Sequence, residues 1–79
     1  MSFKETREMA SLPAQIEALE AEQADIAAQL ADPALYKGEP QRVKALQARH
    51  ADIEQLVAEA MARWDALEQK QARLNANTV

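Results

Sequence analysis

The chain has 79 residues, with nine Lys and Arg against thirteen Asp and Glu, a net charge of −4, one glycine and no cysteine. One glycine excludes both a phosphate-cradling GxxxxGK[ST] loop and a GxGxxG dinucleotide fingerprint, and the absence of cysteine excludes disulfides, thiolate catalysis and the usual structural zinc sites. The acidic balance argues against a simple nucleic-acid binder, so the distribution of charge matters more than its sum.

Hydrophobic residues make up 48% of the chain, but eighteen of them are alanine, which favours helix more than it fills a core. A chain this short has marginal stability unless its helices are long and well matched. No apolar run approaches the roughly 20 residues that span a bilayer, and "MSFKETREM" lacks the apolar stretch of a secretory signal. A soluble, cytoplasmic chain is the expectation.

In chain order, the first element is a short helix over 3–11, separated from the next by "SLP" at Ser11 to Pro13, where proline kinks or breaks a helix. Phe3, Thr6 and Met9 are expected to cover the far end of the partner helix. A first long helix follows over 13–31, with Pro13 at its first position and an apolar seam of Leu12, Ile16, Leu19, Ile26 and Leu30 interrupted by Gln23. Asp32 precedes Pro33 and so avoids helical geometry, which ends the helix there.

The stretch "DPALYKGEP", residues 32–40, forms the tip. Asp32 and Pro33 cap and start a short helical turn, Leu35 and Tyr36 fold back on the last layer, and Pro40 begins the next helix. Gly38 favours closure within one chain, hence a monomer. The second long helix covers 41–75, about 50 Å at 1.5 Å per residue, and residues 76–79 form a disordered tail. Its seam runs Val43, Leu46, His50, Ile53, Val57, Ala60, Trp64, Leu67, Gln71 and Leu74.

The two seams close as an antiparallel hairpin in which every layer sets an a position against a d position. Leu30 meets Leu46, Ile26 meets His50, Gln23 meets Ile53, Leu19 meets Val57, Ile16 meets Ala60, Leu12 meets Trp64 and Met9 meets Leu67. The fold class is therefore all-α: one domain over 1–79, an antiparallel two-helix coiled-coil hairpin with a short N-terminal helix and a structured helical-turn tip.

Nothing in this pattern points to catalysis or metal binding. His50 lacks a second His or Cys partner, and with Gln23 it reads as a polar seam residue that fixes register. Trp64 reads as a core residue, with partner docking as the alternative. Residues 14–32 carry five acids and no base, and 51–69 carry five acids against Arg63 alone, so the shaft is acidic. Residues 33–50 hold Lys37, Arg42, Lys44 and Arg49 against Glu39. These four cations, with Tyr36 as a stacking or packing ring, are the candidate contacts for a phosphate backbone. The competing reading pairs Arg49 with Glu22 across the seam edge and leaves the other cations as ordinary surface.

Four segments in order carry a resemblance: "SFKETREM" at Ser2 to Met9, "LPAQIEALEAE" at Leu12 to Glu22, "LADPALY" at Leu30 to Tyr36 and "ARWDALE" at Ala62 to Glu68. Together the chain resembles the C-terminal coiled-coil domain of ABC-F family ATPases, above all the Uup-like branch. The resemblance implies a non-enzymatic fragment of a larger ATPase, with ATP and Mg bound by cassettes outside this chain and no cofactor within it. It also implies partners: DNA or ribosomal RNA, held weakly and with strong salt dependence, and the parent's own cassettes. The alternative is a protein-interaction or regulatory arm that positions those cassettes.

Overall fold

In the computed structural model, which describes residues 2–76, three helices run in the order α1 (Phe3–Leu30), α2 (Pro33–Gly38) and α3 (Pro40–Ala76). α1 and α3 lie antiparallel along a rod of 63 × 17 × 15 Å, and α2 sits across the turn against both. The all-α hairpin expected from the heptads is the fold observed. The expected tail at 76–79 falls mostly outside the described residues, and Ala76 itself closes α3.

α1 starts with a capping box. The Glu5 amide donates to Ser2 Oγ at 3.2 Å, while the Ser2 amide donates to Glu5 Oε1 at 3.2 Å. The helix then continues through Pro13, so the separate helix predicted over 3–11 is the first part of α1. Proline in a helix interior removes one hydrogen bond and crowds the preceding turn, a cost of about 3 kcal/mol. Contacts on the N-terminal side of Pro13 offset that cost. Leu12 is buried, Glu8 and Glu5 are tied to α3, and the Ser11 hydroxyl bonds the Glu8 carbonyl at 2.9 Å.

Continuity also sets the phase. An unbroken heptad count from Leu12 back to the start places Glu5 on the seam and turns Phe3 outward, where it is 78% exposed with the Arg7 guanidinium 5.7 Å from its ring centre. Phe3 and Thr6 therefore do not cover the end of α3, as a separately oriented short helix would have done. Leu74 is correspondingly 41% exposed.

At the other end Asp32 is extended, with φ −82° and ψ 114°, as the residue before a proline prefers, and its carboxylate accepts from the Ala34 amide at 3.0 Å. α2 is one short turn and a half, tied back by the Tyr36 hydroxyl, which donates to the Leu30 carbonyl at 2.7 Å. No residue here needs a left-handed backbone. Gly38 has an ordinary φ and open space where a Cβ would stand, so closure does not depend on glycine.

The core is a line of Leu12, Ile26, Val43, Ile53 and Leu67, with Ile53 fully buried. Val43 lies beyond the Leu30 and Leu46 layer that the sequence marks as the last. It is buried because α2 folds over the first turns of α3 and supplies an additional layer. Gln23 and His50 are only half-buried, so the seam keeps their polar atoms near water and leaves no buried polar atom without a partner among the described residues.

Candidate nucleic-acid interface at the hairpin tip

Four of the six cations of α3 follow the same heptad as its seam: Arg42, Arg49, Arg63 and Lys70 stand seven or fourteen residues apart, all on one flank. That flank faces α1, and each of the four is held there. Arg49 grips both Glu22 oxygens at 2.7 and 2.9 Å, Arg63 grips both Glu8 oxygens at 2.6 and 2.9 Å, and Lys70 reaches Glu5 at 2.8 and 2.9 Å. Arg42 donates to Gln29 Oε1 at 2.8 Å and lies 3.4 Å from Glu39. As α1 advances from Glu8 to Glu22 to Gln29, α3 retreats by the same steps from Arg63 to Arg49 to Arg42. The cross-links thus confirm the antiparallel register of the layers.

Electrostatics follow the contacts. Hydrogen bonds from Lys70 and from the Ser2 amide bring the Glu5 carboxyl down from 4.5 to about 2. Arg63 lowers Glu8 and Arg49 lowers Glu22 in the same direction, and both arginines are held more firmly protonated in return. These pairs remain about half-exposed, so each is a modest stabiliser whose geometry matters more for register than for total stability.

The candidate cations therefore divide. Arg49 is engaged in a two-pronged pair with Glu22, the alternative that its position on the seam edge had raised. Arg42 is shared between Gln29 and Glu39 but keeps about half of its side chain exposed. Lys37, at the end of α2, and Lys44, in the second turn of α3, have no ion-pair partner among the described residues. Tyr36 is tied to Leu30 through its hydroxyl while its ring is 49% exposed.

Folding also redistributes charge. From Glu22 to His50 the hairpin sets Glu22, Asp25, Asp32 and Glu39 beside Lys37, Arg42, Lys44 and Arg49, so the distal half is neutral and the whole excess of −4 lies on the shaft. The pairs through Glu8 and Glu5 were not foreseen from sequence. The signal was present, since the spacing that links Arg42 to Arg49 continues to Arg63 and Lys70, with Leu56 filling the intervening position.

Among the described residues no group of His, Asp or Glu is arranged to hold a metal ion, and no helix is long and apolar enough to cross a membrane. A closed hairpin with a shaped tip and ionic cross-links along one flank is the architecture of a coiled-coil arm. The model of the ABC transporter C-terminal domain family matches residues 1–77, and the chain belongs to that family. Comparison with curated proteins gives no match, and neither does comparison with solved structures.

Proposed function

We propose that this hairpin is the non-catalytic C-terminal arm of a cytoplasmic ABC-F type ATPase of the Uup-like branch and that its tip contacts a nucleic-acid backbone, in DNA or ribosomal RNA. One observation carries the reading: Lys37 and Lys44 stand without an ion-pair partner among the described residues around a built tip, whereas Arg49, Arg63 and Lys70 of α3 are engaged with α1 in holding the hairpin together. Arg42 joins them by exchanging its neutral Gln29 partner for a phosphate oxygen. Arg49 belongs to the scaffold. Tyr36 packs α2 onto α1 and offers its open ring edge to a neighbouring base. ATP and Mg belong to the cassettes of the parent protein.

Two or three phosphate contacts release few counterions, so log K against log salt should fall with a slope of about −2 to −3 on duplex DNA. Titrating the 79-residue chain with duplex DNA and with a structured RNA at several salt concentrations measures that slope. Lys37→Glu with Lys44→Glu should abolish binding to whichever polymer is preferred. Unchanged affinity in that double variant rejects the tip as the contact.

A further inference from the structure

The two flanks of the seam are chemically unlike. One carries every ionic cross-link between α1 and α3. On the other, the facing seam-edge positions, Pro13, Glu20 and Ala27 of α1 and Glu68, Met61 and Glu54 of α3, include no lysine or arginine. A groove of about 470 Å³ opens on this second flank between Pro13, Ile16 and Trp64, with Glu17 and Glu20 on its rim. It exists because Ile16 faces Ala60, the smallest residue of the α3 seam, beside Trp64, the largest, so the indole is left half-buried with a free side. Met61 is 48% exposed, and the register sets it across the seam from Glu20.

Glu17 and Glu20 have no ion-pair or hydrogen-bond partner among the described residues. A nucleic-acid backbone or an anionic membrane would be repelled by this rim, and so would a second copy of a chain that shares the same acidic shaft. A groove between two antiparallel helices takes a third helix most readily, because ridges of side chains fit between them. We propose that this groove docks a basic amphipathic helix of a protein partner, an apolar side chain seated on Ile16 and Trp64 and flanking lysines or arginines paired with Glu17 and Glu20. The inference stands independently of any contact made by the tip.

Trp64 is the sole tryptophan, so its emission reports on the groove directly. The probe is a synthetic amphipathic peptide of Leu, Ala and Lys with leucines at every third or fourth position, titrated into the 79-residue chain and followed by Trp64 emission and by anisotropy of the labelled peptide. The expected result is a saturable blue shift that weakens with salt and is absent with a scrambled peptide or one with Glu in place of Lys. Glu17→Lys with Glu20→Lys should weaken binding at least tenfold, whereas Glu59→Lys, behind the opposite flank, should leave it unchanged. Both rim carboxylates are solvated and unpaired, so the variants keep their helical circular dichroism. Met61→Lys provides a second disruption without touching a carboxylate, and it should weaken binding too. The proposal is overturned by any of four results: no saturable shift, equal affinity for the scrambled peptide, equal weakening by Glu59→Lys and by Glu17→Lys with Glu20→Lys, or a blue shift produced instead by duplex DNA.

Discussion

Ile53 has no exposed surface and Leu67 only 1%, and in a rod this thin such sites are few. Truncating Ile53 removes buried methyl groups and leaves a cavity that two helices cannot easily collapse around, so Ile53→Ala should cost about 2–5 kcal/mol. Total stability for a chain of this size is only about 4–12 kcal/mol, and the variant should show a much lower urea midpoint. Leu56→Ala, at a residue 39% exposed, should change that midpoint far less. Glu5 contributes differently, through protonation. Its carboxyl lies at about 2 in the folded chain against 4.5 ordinarily, so its stabilisation is complete above pH 4.5 and disappears as pH falls toward 2. Glu8 and Glu22 are shifted in the same direction and lose their contributions on the same acid side. Glu5→Gln should therefore flatten the acid limb of a stability profile measured between pH 5 and about pH 2 and leave its neutral plateau nearly level. A limb of unchanged steepness would show that the Lys70 pair is not formed in solution.

The helices depend on neighbours as much as on propensity. α1 accepts Pro13 inside it because Leu12 is buried beside it and because Glu8 and Glu5 are anchored to α3 further along. Replacing Pro13 with alanine restores a backbone donor for the Met9 carbonyl and removes the ring's steric crowding, together about 3 kcal/mol, while giving the unfolded chain back about 0.4–1 kcal/mol of entropy. Pro13→Ala should thus stabilise the hairpin by about 2 kcal/mol, raising the thermal midpoint by several degrees. A lower midpoint would mean that Pro13 packs productively against the Trp64 side of the groove. α2 shows the same dependence in reverse. Too short to be stable alone, it persists because Asp32 caps it, Tyr36 ties it to Leu30 and its apolar side covers Val43.

At the level of the whole molecule, the antiparallel register is written along one flank by pairs that all join residues of the same chain across the hairpin. α2 brings the start of α3 back over the end of α1 without strained backbone, so closure within one chain needs no compensation. Sedimentation equilibrium should return a monomer mass, and the helical signal should not change with concentration. A dimer would mean that the same pairs form between chains and that the tip is a hinge. The one-sided use of charge has a further consequence. One long flank is self-satisfied and salt-bridged, and the other is acidic, grooved and open, so the rod presents different faces to different partners.

Much of this was legible in local sequence. The heptad spacing of Leu12 to Leu30 and of Val43 to Leu74 determined two long helices and their pairing, because side-chain period is a property of helical geometry alone. "DPALYKGEP" determined a capped turn between two prolines, because proline and the residue before it restrict the backbone without reference to anything distant. One glycine, no cysteine and one histidine determined which chemistries were out of reach. What only the tertiary structure decided are balances between local and distant contributions. Pro13 lies inside a helix because contacts to Trp64's helix outweigh a broken hydrogen bond. Once it does, the continuous phase turns Phe3 outward and Glu5 inward. Arg49 and Arg42 look alike in sequence to Lys37 and Lys44, yet the hairpin places α1 acceptors beside the first two and none beside the others. A cation's availability is set by what lies across the seam, and no window of neighbouring residues contains that information.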